Sequence, residues 1–273
     1  MHLFLCFGSV IFALFCRLVF PLSSFSFLVA PLLFVSTTIV VLLMGCNGEM
    51  WMMPVGWLGF AMSFLFLVFC LLSLFCHCRD LVRSVQKTKE LPLHVYQLKE
   101  RRICFRLLDH DLPFAGLVGL VNPQLVLSRG LLDLLDQDHI EAVVCHEEAH
   151  RFYRDNFWFF WWNYLKQITA WLPRTEKLWQ HLLLERELRA DRKAGEKVDP
   201  LDIAEALLQI IQQGNGLIVG GAVPFFEQER LEQRIDALLS PRPQGFNRRE
   251  ILLSILVALL PLFYLPFHYQ NYV

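Results

Sequence analysis

A mostly helical membrane protein carrying a polar α+β domain is the fold class this sequence predicts, and three observations predict it. Charge is segregated: between Met1 and His77 only Arg17 and Glu49 are charged, whereas the remainder of the 273 residues is charge-rich. Apolar runs of membrane-spanning length fill the charge-poor part, and the chain is 55% hydrophobic with mean hydropathy +0.41, too apolar for an ordinary soluble protein. In the charge-rich part, short strand-like segments with tight turns precede longer helical patterns. The formal net charge of -1 offers no electrostatic footprint for nucleic acid. Eight cysteines are present, most of them in or beside the apolar stretches, and their spacing does not form a disulfide framework.

The first module, residues 1–77, holds three apolar runs: Leu3 to about Phe20, Phe25 to about Met44 and Pro54 to about Phe75. Each approaches the ~20 residues that cross a bilayer as a helix. Pro21-Leu22-Ser23-Ser24 and Cys46-Asn47-Gly48-Glu49 break the runs. The first run lacks a charged start and is followed at once by two more, so it reads as an anchor and not as a secretory signal. A fourth run, Ile251 to about Phe267, interrupted by Pro261 and Pro266, makes residues 251–273 a last span and short tail. Basic residues near span ends set the orientation. Arg17 marks the first turn as cytoplasmic, and Arg79, Arg83, Lys87 and Lys89, with Arg242, Arg248 and Arg249, place residues 78–250 in the cytoplasm. A reducing compartment fits the unpaired cysteines.

The polar domain opens with strand-like segments at His94–Leu98 and Ile103–Leu108. A small sheet with tight turns then runs through Ala115–Val121 and Gln124–Ser128, and a short helix covers Leu131–Leu135. Asp138 and Glu141 form an Asp-x-x-Glu capping arrangement that starts the next helix. Ile140, Val143 and Val144 give it an apolar stripe.

That helix contains His146-Glu147-Glu148-Ala149-His150, an H-E-x-x-H pattern. Residues four apart share a helical face, so His146 and His150 can bind one metal ion. Zinc suits such a site, since a catalytic zinc takes three protein ligands and keeps one position open. Glu147 can reach a water at that position as general base. Cys145 points about 100° away from His146 around the helix and reads as a small core residue. The Cys76-His77-Cys78 cluster lacks a partner pair, and His94, His110, His139, His181 and His268 lack ligand spacing; all are expected to be ordinary residues.

The third ligand is sought on the helix that Thr175 can cap and Gly195 stops. One face reads His181, Glu185, Arg189, Arg192, Glu196 and looks solvated. Another reads Leu183, Glu187, Ala190, Asp191, Ala194 and looks buried. A buried carboxylate needs a partner, which makes Glu187 the third metal ligand. Asp191, one turn on, can orient a ligating histidine, and Ala190 permits close helix approach. Either motif by itself arises often by chance; together, each on its own helix and each on a buried face, they support each other. The aromatic stretch 157–172 between them cannot be a span, because it would separate His150 from Glu187. It reads as interfacial or as a buried core helix, with a shallow re-entrant piece as the alternative.

Several of these segments together resemble the BlaR/MecR-type membrane zinc peptidases, from roughly Ala115 to Leu239. The resemblance is carried by Asn122-Pro123-Gln124-Leu125-Val126-Leu127-Ser128-Arg129-Gly130-Leu131-Leu132, by the H-E-x-x-H segment and by Arg154-Asp155-Asn156. Trp171-Leu172-Pro173-Arg174-Thr175-Glu176, Glu187-Leu188-Arg189-Ala190-Asp191 and the late helix Leu231–Leu239 continue it. It implies a gluzincin-like fold, zinc held by His146, His150 and Glu187, catalysis by Glu147, and a bacterial plasma-membrane location. A protein or peptide substrate, with a cytoplasmic repressor as one candidate, follows from the same likeness. The strand Gln124–Ser128 is expected to pair with an extended substrate, as an edge strand would. The antibiotic-sensing members continue into a penicillin-binding domain after the fourth span; here Val273 follows, so β-lactam sensing is not expected of this chain. The alternatives are a non-catalytic regulatory membrane protein with a structural metal site, and a prenyl- or HtpX-type processing peptidase. The oligomeric state is open.

Overall fold

The computed structural model describes residues 2–20, 23–45, 49–50, 53–54, 56–99, 101–215, 225–239 and 248–262. In chain order the elements are α1 (His2–Val19), α2 (Ser24–Met44), β1 (Glu49–Met50), β2 (Met53–Pro54), α3 (Trp57–Glu90), β3 (Leu93–Leu98), β4 (Arg101–Leu108), β5 (Ala115–Val118), β6 (Gln124–Ser128), α4 (Arg129–Leu134), α5 (Gln137–Tyr153), α6 (Asp155–Ile168), α7 (Thr175–Ala194), α8 (Pro200–Asn215), α9 (Phe225–Leu239) and α10 (Arg248–Ala258). They divide into two compact units. One takes residues 1–78, 162–182 and 246–273; the other takes 79–161 and 183–245. The second half of α6 and the start of α7 therefore go with the apolar residues.

In the apolar unit, α1, α2 and α3 are long and apolar enough to cross a membrane. Ser23 caps α2 by accepting from the Ser26 N–H at 3.1 Å. The expected breaks at Pro21-Leu22 and Cys46-Asn47-Gly48 lie outside the described residues. The third run extends beyond Phe75: no glycine or proline stops it before Pro92, so α3 continues as one helix of 34 residues through the basic segment. The fourth run forms α10, 11 residues long and packed on α2; residues 263–273, which would complete the expected span, lie outside the described residues. The aromatic stretch becomes α6, 14 residues long, with Tyr164 Oη donating to the Cys70 carbonyl at 3.0 Å. Arg17 is fully buried in this unit, with its guanidinium 5.8 Å from the Phe27 ring centre.

The polar unit is built on a four-stranded sheet in the order β3-β4-β6-β5. β3 and β4 form an antiparallel hairpin, β4 and β6 run parallel from Arg106 onward, and β5 closes the other side antiparallel to β6. The expected strand over 115–121 stops at Val118, because Gly119 turns the chain at φ +115°. One face of the sheet (Leu98, Ile103, Phe105, Leu125, Leu127) packs on Leu131 and Leu135 and on Ile140 and Val144 of α5. This apolar layer fixes the position of α5 under the strands. A second cluster of mostly small side chains, Ala142, Cys145, Ala194 and Ala204 with Ile203 and Leu238, joins α5 to α7, α8 and α9. Its small residues let the helices approach closely.

Two caps differ from expectation. The N-cap of α5 is Asp136, which accepts from the His139 N–H at 3.0 Å. Asp138 and Glu141 instead bind Lys99 Nζ at 2.7 and 2.6 Å. The helix starts two residues earlier than the Asp-x-x-Glu pattern implied. The Thr175 hydroxyl donates to the carbonyls of Thr169 and Leu172, both at 3.0 Å, and so ties down the preceding turn.

Candidate metal centre

His146 and His150 sit on the inward face of α5, and Glu187 faces them from α7. Their ligand atoms form the one group among the described residues that can hold a metal ion. His146 Nε2 and His150 Nε2 are 3.1 Å apart; Glu187 Oε2 is 3.2 Å from His146 Nε2, and Oε1 is 3.7 Å from His150 Nε2. Ligands about 2.0–2.1 Å from a tetrahedral metal stand about 3.3 Å from one another, so this spacing fits a small divalent cation. Two lone pairs aimed at one point repel unless a proton or a cation lies between them. The donor set and its convergence therefore suit a metal.

The far side of each imidazole is held. His146 Nδ1 is 2.8 Å from Asp191 Oδ1, and His150 Nδ1 is 2.7 Å from Asp155 Oδ2. A carboxylate on Nδ1 keeps that nitrogen protonated and turns Nε2, as the lone pair, toward the metal position. Both carboxylates are almost fully buried, at 2% and 1% exposure, so each needs further partners. Arg234 of α9 supplies them for Asp191 with two parallel bonds, Nε to Oδ2 at 2.8 Å and Nη2 to Oδ1 at 2.7 Å. Arg189 of α7 supplies them for Asp155 and lies 4.3 Å from the Tyr153 ring centre.

Local geometry explains how Asp155 reaches back to a histidine only five residues earlier. Arg154 ends α5 in the left-handed region, at φ 55°, with its N–H on the carbonyls of Arg151 and His150. The chain turns sharply there, and α6 begins with Asp155 beside His150. On α7, Arg186 binds Glu187 Oε1 at 2.6 Å, which leaves Oε2 turned to His146. Arg234 Nη1 approaches the same Oε2 at 3.5 Å.

Burial alone would lower the pKa of both histidines. For His146 the Asp191 and Glu187 carboxylates outweigh it and push the value up to about 9. For His150, Asp155 and Glu187 likewise raise it. Burial would raise Glu187 and Asp191, but the histidines and Arg234 hold both below the usual carboxylate range.

Glu147 lines two cavities in this unit. One, of 330 Å³, adjoins His146, Glu187 and Arg234 and is walled mostly by apolar side chains, among them Phe114, Val143, Ile203 and Ile210. The other, of 230 Å³, is lined by Arg101, Arg102, Glu148 and Arg151 with Ile103 and Leu117.

All five residues singled out from the sequence lie at or beside this centre: His146, His150 and Glu187 as the converging donors, Asp191 behind His146, and Glu147 on the adjoining cavities. Asp155, Arg189 and Arg234 were not identified as site residues. Arg189 had been placed on a solvated face of α7, yet it reaches the buried Asp155. The signal available for Asp155 was an acidic residue just past the helix end. Arg234 comes from α9, the late helix that continues the resemblance, but no pattern within that segment gave it a role. Cys76, His77 and Cys78 take no part in a metal group among the described residues.

No family model matches this chain, and neither a curated protein nor a solved structure matches it.

Proposed function

We propose that this protein is an integral-membrane zinc endopeptidase of the BlaR/MecR type, with its polar unit in the cytoplasm and a regulatory protein or peptide as substrate. The observation that carries the reading is the convergence of His146 Nε2, His150 Nε2 and Glu187 Oε2, with a buried carboxylate behind each histidine and Glu147 on the adjoining cavities. Three donors with no fourth among the described residues suit a catalytic rather than a structural zinc. When bound there, zinc would supply Lewis-acid activation of a water and of the scissile carbonyl.

The chain's own residues do the rest. Glu147 takes a proton from the attacking water and passes it to the leaving amine. Asp191 and Asp155 hold the imidazoles in the tautomer that leaves Nε2 free. Arg234 keeps Asp191 ionised and Glu187 in place. The 330 Å³ cavity takes an apolar side chain of the substrate.

An extended peptide would pair with β5. The strand Gln124–Ser128, expected from sequence to offer an edge, is flanked by β4 and β5 and is closed to a substrate. The sheet's edges are β3 and β5, and of these β5 adjoins both cavities, with Ala115 lining one and Leu117 the other. Asn156 Nδ2 donates to the Leu117 and Gly119 carbonyls at 2.8 and 3.0 Å and holds the end of that strand.

The test is metal content and peptide hydrolysis of the purified protein in detergent. Wild type should carry one zinc per chain and cleave. Glu147→Gln should keep the zinc and lose about 10²–10⁴-fold in rate, and Glu187→Ala should lose metal. Cleavage by Glu147→Gln at the wild-type rate would refute the role of Glu147.

A further inference from the structure

Glu147 also lines the 230 Å³ cavity, together with three arginines, two from β4 and one from α5. Arg101 is committed: its Nη1 binds Glu148 Oε1 at 2.8 Å, and Lys197 holds the other oxygen of that carboxylate at 3.1 Å. Arg102 and Arg151 are different. Both are exposed, and no carboxylate among the described residues pairs with either, although Glu147 and Glu148 line the same cavity. Arg151 Nη2 donates to the Pro123 carbonyl at 3.1 Å, which anchors one arm of its fork and leaves the others available.

The sheet leaves this cavity open. β4 pairs with β6 only from Arg106 onward, so its first half has no strand on that side. Below it, Val144, Glu147, Glu148 and Arg151 of α5 form the floor. A solvated basic patch would be scattered over a convex surface. Here two arginine residues without carboxylate partners among the described residues line a concavity that also holds the proposed catalytic base. The planar fork of an arginine matches a carboxylate, with two parallel N–H donors.

We propose that this cavity receives an acidic side chain of the substrate through Arg102 and Arg151. The favoured peptide is then acidic on one side of the scissile bond and apolar on the other. This specificity rests on the peptidase reading above and adds the substrate class to it.

The test uses the full chain in detergent, carrying Glu147→Gln so that bound peptide survives. The probes are four fluorescent decapeptides of Ala and Ser with a central Leu, flanked by Glu-Glu or Gln-Gln on its N-terminal or its C-terminal side. Binding is read by anisotropy. In one of the two orientations the Glu peptide should bind about fivefold or more tightly than its Gln twin at low salt, and the gap should shrink at high salt. Adding Arg102→Glu and Arg151→Glu should invert the preference with metal content unchanged. Equal binding of the twins, no binding of any peptide, or a preference that survives the double reversal would overturn the proposal. Hydrolysis of the Gln peptides by the protein with Glu147 intact is read separately. Glu147-dependent cleavage with equal binding of the twins sinks the acidic specificity alone. An acidic preference that Arg102 and Arg151 control, with no cleavage of any peptide, sinks the peptidase reading and leaves the acid-binding cavity.

Discussion

At the scale of single residues, the candidate metal centre depends on what stands behind its donor residues. Asp155 holds His150 through Nδ1 and is itself held by Arg189. Asp155→Asn keeps the shape but removes the charge, and it should weaken zinc binding about 10–100-fold, measured by competition with a chromophoric chelator. The pH dependence has a definite sign. With no metal bound, the His146 pKa is pushed up to about 9 and that of His150 is raised as well, so the centre carries a proton at pH 7. Zinc must displace it. Zinc uptake at pH 7 should therefore release protons, and apparent affinity should climb as pH rises toward 9. Calorimetry in buffers of different ionisation enthalpy would count the protons; none released would contradict the raised values. Glu187 and Asp191 were legible from the sequence because helical periodicity put both on a face of small and apolar residues. Arg189 was misread for a related reason: it falls on the polar stripe of α7, and periodicity cannot show that Asp155 waits there.

At the scale of elements, two substitutions separate what the sequence suggested from what the helices use. Asp136 caps α5, so Asp136→Ala should lower the stability measured by urea titration. Asp138→Ala removes one exposed contact to Lys99 and should cost little. The reverse order would restore the cap expected from Asp-x-x-Glu. Gly130 opens α4 where the chain passes very close to its own backbone; an added Cβ would lie 1.9 Å from the Asp111 carbonyl oxygen. Gly130→Ala should therefore destabilise the polar unit more than Asp136→Ala, since backbone and not a flexible side chain must move. The edge strand was assigned wrongly from sequence because β6 and β5 have similar composition, and only pairing tells which one lies outside.

At the scale of the whole molecule, the chain keeps its long apolar helices largely in one unit and its candidate metal centre in the other. The proposed orientation has a direct check. Cys104 is an exposed cysteine of the polar unit. In a variant keeping only that cysteine, an impermeant maleimide should label inside-out vesicles and leave right-side-out ones unlabelled. The opposite pattern would put the proposed peptidase outside.

The sequence by itself determined the segregation of charge, the three long apolar helices and the two helices that bring together His146, His150 and Glu187, the group that could hold a metal ion. These are properties of composition and of the 3.6-residue period, which act within a single segment. Only the tertiary structure decided which strands are edges, that Asp155 and Arg234 join the candidate centre, and that arginines of β4 share a cavity with Glu147. Those facts depend on segments far apart in the chain packing together, and no local pattern records which buried charge will meet which.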